Sequence, residues 1–342
     1  MRAYLQDQYS EEYTLPTVPA NTNKVQKAFT DGLNHGGSLQ SHWLLGTSHS
    51  AILGFDYDNT AYKKKTETTK TDGAFSTAHK KGEQAAYALF LQDEWAIVQG
   101  LALTIGARQS WFKTKMQKDT DKHDALGDFT HDKLIFSGGL VYSGFDNLAL
   151  RASYSQGFRV PNLNELYGSS IVDTNLNLEP EESDNFEIGA RYQGTKLMVD
   201  LGIYYSTFDN AIDFIYTPSG KYPYQFVNLN GAKTWGTELA SSYRFESIGI
   251  TPYVNITVAR FQSEDETGFK TFDSGRPEFY AKSGIKWEKD ITESVLLFTD
   301  TSFTFTDSYK SLSQKYSSGK RMDATIGLET KGERFFDVHY GI

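Results

Sequence analysis

The sequence predicts an all-β chain: an antiparallel β-barrel that crosses a membrane. Three observations predict it. Short turns alternate with long polar connections, the segments between them repeat with a period of two, and no helical membrane span is present. The short turns read at Val98-Gln99-Gly100, Gly144-Phe145-Asp146-Asn147, Gln193-Gly194-Thr195, Glu246-Ser247-Ile248-Gly249, Glu288-Lys289-Asp290 and Lys331-Gly332-Glu333. The long connections fall around 67–83, 118–131, 159–183, 216–224, 263–275 and 306–319. A transmembrane barrel has this rhythm because its periplasmic turns are short and its extracellular loops are long. The rhythm therefore also orients the chain.

The elements follow in order. Strand-like segments lie at 24–32, 38–46, 50–63, 84–97, 101–117, 132–143, 147–157, 184–193, 196–208, 225–245 (with its Gly pair), 250–262, 277–287, 292–305, 321–330 and 334–342, with 2–9 a further candidate. That makes about 15 strands of roughly the length a tilted membrane crossing needs. Residues 10–23 read as irregular and polar. In 148–155, Leu148, Leu150, Ala152 and Tyr154 share one face, and Ala149, Arg151, Ser153 and Ser155 the other. In 197–206, Leu197, Val199, Leu201, Ile203 and Tyr205 oppose Met198, Asp200, Gly202, Tyr204 and Ser206. Segments 250–259 and 295–306 alternate likewise. Period two is the strand signature. The polar face needs water or partners, so the interior is wet or plugged. Alternation alone would also suit a sandwich, and the loop rhythm decides between them.

Composition sets the outer limits. The 342 residues include 21 Tyr and 23 Phe, as interfacial aromatic girdles need, and no Cys. A net charge of −9 argues against a nucleic-acid partner, whose footprint is basic. The first residues, Met1 to Tyr9, carry no apolar signal-peptide core. The last, Phe335 to Ile342, stop inside a strand pattern. Both ends lead to the expectation of one partial barrel over 1–342.

The richest local pattern runs through the connection after 157. It contains Phe158-Arg159-Val160-Pro161 and then Asn175-Leu176-Asn177-Leu178-Glu179-Pro180-Glu181. Before it stand Leu89-Phe90-Leu91-Gln92-Asp93-Glu94-Trp95 and Gly106-Ala107-Arg108. After it stand Phe226-Val227-Asn228, Gly236-Thr237-Glu238, Arg321-Met322-Asp323 and the run into Tyr340-Gly341-Ile342. In this order the motifs resemble the TonB-dependent outer-membrane receptors across nearly the whole chain. The resemblance implies a barrel of about 22 strands enclosing a plug, of which about 15 are present. The N-terminal plug, the first strands and the last strand would be missing. It implies import of a scarce metal chelate, driven by the TonB-ExbB-ExbD complex through the missing N-terminal region. The partners are then an extracellular iron-chelate or haem-protein ligand and outer-membrane lipid, with no resident cofactor.

The paired boxes are most similar to the haem and haemoglobin receptor branch, which places a haem-ligating His between them. Residues 162–174 contain no His, so a ferric siderophore or a corrinoid stays open beside haem. Family position points to Arg159 and Asn175 for ligand binding, with Asn162, Tyr167 and Asn177 in the same loop. Tyr167 is the one side chain of 162–174 that could ligate haem iron as a phenolate. Each has a structural alternative. Arg159 could tie the loop base to carboxylates such as Glu165, and Tyr167 could be a packed loop aromatic. Pro161 could fix the strand exit, and Asn175 and Asn177 could organise turns. Glu179, Glu181 and Glu182 read as a solvated face. Mixed-charge stretches at His79-Lys80-Lys81 and at Lys113, Lys115, Lys118, Lys122, His123 and His131 read as solvated loops, the two His too loosely spaced for a metal motif.

No nucleophile, zincin, Walker or Rossmann pattern is present. Asp93 and Glu94 are adjacent on a strand and point to opposite faces, so they cannot share a substrate. The reading is a non-enzymatic, outer-membrane active-transport receptor for an iron chelate. The alternatives are a passive channel or adhesin barrel, and a soluble all-β binding protein. The isolated 342-residue chain is expected not to form a stable closed barrel. Its edge strands would leave backbone groups unpaired in lipid, at several kcal/mol each. Heat-modifiable gel migration, the sign of a closed barrel, would contradict this.

Overall fold

A computed structural model of the chain describes residues 2–14, 24–70, 72–120, 128–168, 172–217, 223–228, 231–265, 268–271, 276–311, 314–330 and 333–341. Strands β1 (Arg2–Thr14), β2 (Lys24–Leu45), β3 (His49–Lys70), β4 (Phe75–Val98), β5 (Leu101–Asp119), β6 (Asp128–Phe145) and β7 (Leu148–Arg159) follow one another as antiparallel neighbours. A short helix α1 (Leu163–Tyr167) and β8 (Val172–Asp173) interrupt them. The wall resumes with β9 (Glu181–Gln193) and β10 (Leu197–Asp209), and a hairpin of β11 (Ile212–Tyr216) and β12 (Tyr224–Asn228) leads to β13 (Gly231–Tyr243). Then come β14 (Ile250–Asp265), β15 (Gly268–Thr271), β16 (Phe279–Thr292) and β17 (Val295–Thr306). A small hairpin of β18 (Tyr309–Ser311) and β19 (Gln314–Tyr316) precedes β20 (Gly319–Thr330) and β21 (Glu333–Gly341). Among the described residues the wall is one 16-stranded sheet with β1 and β21 at its two open edges, and β15 pairs only with β14. The antiparallel barrel architecture expected from the sequence is thus present, as an open wall.

Two faces explain the alternation. On the outer face an aromatic row crosses four strands in register: Tyr154 opposite Phe186, Phe186 opposite Tyr205, and Tyr205 opposite Trp235. A matching row, Tyr57–Tyr87–Trp111, crosses β3 to β5. Toward the short turns lie His49 stacked on Trp95, Tyr142 against Phe145, and Tyr243 against Phe245. Between the two levels the outer face exposes Ile105, Leu140, Leu150, Ile188, Leu201, Ile203 and Ile326. The nine residues Leu197 to Tyr205 match the roughly 9–11 that a strand tilted near 45° takes to cross. The inner face is polar and paired. Arg108 Nη1 donates to Asp56 Oδ2 at 2.6 Å, and Arg151 donates to Asp200 at 2.8 Å and Glu187 at 3.1 Å. Gly189 makes room for that guanidinium, since a Cβ there would stand 2.5 Å from Arg151 Cζ.

The short turns are at the expected end, with one displacement. The turn read at Glu288-Lys289-Asp290 lies inside β16, and the chain reverses at Glu293-Ser294. Charged residues at a membrane surface still pair backbone to backbone, so Glu288 stands opposite Phe298 and Lys289 opposite Leu297. The Lys331-Gly332 reversal lies outside the described residues, between β20 and β21. A further short turn at 46–48, which the sequence rhythm missed, uses Gly46 at φ +67°.

Long connections are shorter than the sequence suggested. Most of 67–83 is strand, because β3 runs to Lys70 and β4 starts at Phe75. Segments 24–32 and 38–46 are one strand, continuous through Gly36-Gly37. Residues 10–14 belong to β1 and not to an irregular segment, while 15–23 lie outside the described residues. Strands of 22 to 24 residues far exceed the roughly 10 a crossing needs. Their halves beyond the bilayer have no lipid hydrocarbon on the outer face, where no apolar alternation is required, so polarity there disguises strand as loop. The segment 225–245 is two strands, β12 turning inward and β13 in the wall.

Leu201→Arg, on the outer face midway between the aromatic levels, is expected to cost about 2–4 kcal/mol in the bilayer. Tyr204→Arg, three residues on and facing inward, is expected to be nearly neutral. The protease-resistant protein recovered from outer-membrane fractions checks the difference.

Candidate functional site

The connection from β7 to β9 folds back onto the inner face of β4 and β5. Pro161 supplies no N–H to continue the ladder, so β7 ends at Arg159. Asn162 then caps α1, its Oδ1 accepting from the backbone N–H of Asn164 (2.9 Å) and Glu165 (3.0 Å). Glu165 returns the bond, its Oε2 accepting from Asn162 N–H at 2.8 Å, a complete capping box. Arg159 clamps the base of the loop. Its Nη1 donates to both Glu165 oxygens at 2.8 and 3.1 Å, and its Nε donates to Glu181. The bond to Glu181, directly opposite on β9, is the largest cause of the raised pKa of Arg159. Glu181 also accepts from Ile212 N–H at 2.7 Å.

The loop has its own apolar centre. Met116, Leu163, Leu166, Tyr167 and Leu178 are buried together, with Tyr62, Phe129, Ile212 and Phe226 packed against them. Each buried Leu contributes about 1.5–3 kcal/mol, enough to hold a loop of this size on the wall. Tyr167 is 0% exposed, and burial is the main cause of its raised phenol pKa. Lys80 Nζ donates to Gly168 O at 3.0 Å and pairs with Asp119 at 3.1 Å. Gln84 reaches Pro161 O at 3.1 Å and Thr114 at 2.8 Å. At Gly82 the loop comes so close that a Cβ would meet Leu163 Cδ2 at 2.8 Å.

Asn175 joins this loop to the β11–β12 hairpin. Its Nδ2 donates to Phe226 O at 2.9 Å, and its Oδ1 accepts from Asn177 N–H at 3.1 Å. β8 pairs in parallel with β12, Val172 opposite Tyr224. Asn228 Nδ2 donates to Glu179 O (2.9 Å) and Asn210 O (2.6 Å). The structure therefore gathers Arg159, Asn162, Tyr167, Asn175 and Asn177 into one loop. The first four make their contacts within the protein, and Asn177 is exposed. Glu181 and Glu182 are not the solvated face expected, because Arg159 and Lys133 pair with them. His123 and Lys122 lie outside the described residues, and among the described residues no acidic, His or Cys cluster could hold a metal.

Four aromatic side chains form a ladder on one face of the hairpin. Phe214 stands opposite Phe226 and Tyr216 opposite Tyr224. The ring centroids are 5.0 Å apart for Phe214–Phe226, 4.9 Å for Phe214–Tyr224 (stacked) and 5.5 Å for Tyr216–Tyr224. The ladder starts at Phe226 in the buried cluster and ends at Tyr216, which is 64% exposed. The sequence carried a signal for it: Phe-x-Tyr and Tyr-x-Phe, each with period two, flank a Pro-Ser-Gly stretch. A second stacked pair, Tyr309–Tyr316 at 4.9 Å, lies on the hairpin between β17 and β20. Rigid aromatic faces of this kind bind conjugated or apolar ligand surfaces.

Residues 2–335 match the family model described as TonB dependent receptor-like, β-barrel. The hemin receptor of Yersinia enterocolitica is 26% identical, over 75% of this chain and 40% of its own length. The ferric aerobactin receptor of Klebsiella pneumoniae is 23% identical, over 90% of this chain and 47% of its own. This chain thus spans less than half the length of these relatives. Among solved structures the copper transporter OprC superposes with a TM-score of 0.79 at 15% identity, covering 96% of this chain and 53% of that one, which is a likeness of fold.

Tyr62 supports the cluster through its pKa, raised to about 12 by burial first and then by Asp119 and Tyr167. Its folded value lies above the unfolded value of about 10. Its stabilisation is therefore complete below pH 10 and is lost as pH rises from about 10 through 12. Tyrosinate absorbance is expected to show Tyr62 ionising late, and Tyr62→Phe should reduce the late phase by one tyrosine. An unchanged titration in the variant would contradict this.

Proposed function

This chain belongs to the TonB-dependent receptor β-barrel family and is an outer-membrane protein, and on that premise we propose that it is the barrel wall of a receptor importing an iron chelate. The chelate is haem or a ferric siderophore, and the energy comes from TonB-ExbB-ExbD. The names of its relatives, hemin and ferric aerobactin receptors, support that ligand class. The observation that carries the reading is the aromatic ladder Phe226–Phe214–Tyr224–Tyr216. It is anchored in a buried cluster and presents an exposed ring on the long-connection side of the wall.

In this reading the loop 159–183 divides its work. Arg159, Asn162, Tyr167 and Asn175 bind ligand indirectly, by holding the loop and hairpin in shape. Exposed Asn177 and Tyr216 meet the chelate itself. A ring contact beyond its area burial contributes about 0.5–1.5 kcal/mol. With Tyr167 packed as a neutral phenol, the binding force for haem would be stacking on the ladder and not ligation by that phenol.

Uptake of iron-labelled haem and ferric siderophores by cells carrying the gene tests this. Uptake is expected to vanish in cells lacking TonB. Tyr216→Ala with Tyr224→Ala is expected to weaken chelate binding about tenfold, and the Phe substitutions should restore it. Uptake that persists without TonB would point to a passive channel instead.

A further inference from the structure

Beyond the Tyr57–Tyr87–Trp111 row the outer face of the wall turns basic. The register sets Asp31, Lys63, Lys81 and Lys118 in one line across β2 to β5. Lys65 stands opposite His79 one pair further from the membrane. Side chains directly opposite on neighbouring strands lie about 5 Å apart, and like charges so placed destabilise the pair. Lys65 is offset by Glu67 at 2.6 Å. Among the described residues, Lys63, Lys81 and Lys118 have no carboxylate in ion-pair contact. All three are exposed. Together with Phe29, Asp31, His79 and neighbouring lysines they line a shallow pocket of about 270 Å³. In a chain of net charge −9, three adjacent lysines set against the single acid Asp31, which stands opposite Lys63 alone, leave a positive line that calls for an anion from outside the protein.

Position selects the anion. Lys63 and Lys81 each lie six residues beyond the aromatic of their strand, about 20 Å along it and about 14 Å above the row at a tilt near 45°. A phospholipid headgroup layer is only about 5–8 Å thick. A thick sugar headgroup bearing phosphates reaches the line. We propose that Lys63, Lys81 and Lys118 form a docking site on the outer wall for the phosphates of an outer-leaflet glycolipid. Lys81, between the other two, is its centre, and Phe29 and the lysine stems give the sugar an apolar floor. The site is independent of the chelate ladder, whose anchoring cluster lies on the opposite face of β3 and β5.

Protein extracted from outer membranes in detergent tests the site. The probes are lipopolysaccharide micelles, the same lipid enzymatically dephosphorylated, phosphatidylcholine vesicles and inorganic phosphate. The protein is expected to bind lipopolysaccharide with strong salt dependence and to ignore phosphatidylcholine. The combined variant Lys63→Gln, Lys81→Gln, Lys118→Gln should bind about 100-fold more weakly, and the three Arg substitutions should keep binding. If the triple variant fails to reach the membrane, Lys81→Gln alone is expected to weaken binding about fivefold. Unchanged binding in the Gln variant, or equal binding of the dephosphorylated lipid, would overturn the proposal. Competition by inorganic phosphate at equal concentration would overturn it too, since the site would then be one for free anions.

Discussion

The structure depends on one constraint: a backbone crossing hydrocarbon must pair every N–H and C=O within the protein. A sheet meets it only by running each strand against its neighbours along the whole crossing. In this chain the strands of the wall therefore follow sequence order with antiparallel partners, and among the described residues every departure from the wall occurs at the long-connection end. There water replaces lipid, so α1, β8 and the β11–β12 hairpin can leave the ladder without stranding polar groups. Register then fixes everything else, because one outer-face row places the next. Tyr154, Phe186, Tyr205 and Trp235 form an aromatic band only because four consecutive pairings keep step.

The same register turns into a scaffold above the membrane. β3 and β4 continue as a wide ribbon past Tyr57 and Tyr87. Its inner face receives the 160–180 loop through Gln84, Lys80 and the space left at Gly82. Its outer face presents lysines. One pair of strands thus carries the packed loop on its inner face and a line of lysines on its outer face. The separation follows from period two: Tyr62 and Lys63 are neighbours in sequence and point to opposite sides.

Arg159 shows how charge shapes the inner surface. Its partners come from α1 and from β9, so one guanidinium joins the exit of one strand, the cap of a helix and the start of the next strand. These groups are partly exposed, so the energy of each pair is modest. Their value lies in geometry, since they set where the apolar cluster around Tyr167 closes and where the aromatic ladder begins.

Much of the wall was legible in the sequence. Segments such as 148–155 and 197–206 alternate because lipid lies on one side and water on the other, and that contrast is written residue by residue. The loop rhythm oriented the wall for the same reason. Where no lipid hydrocarbon lies on the outer side the record fades, so Glu67 to Lys70 and Phe75 to Glu83 read as loop although they are strand. The tie between Arg159 and Glu165 was readable as opposite charges six positions apart at a strand exit. The parallel pairing of Val172 with Tyr224 was not, because nothing in either segment marks a partner some fifty residues away. The sequence by itself determined the strands, their faces and their order, because neighbouring solvent decides those. Only the tertiary structure decided which loops fold inward, which aromatics stack and which lysines align. Those depend on register between distant segments, and register is a property of the assembled sheet.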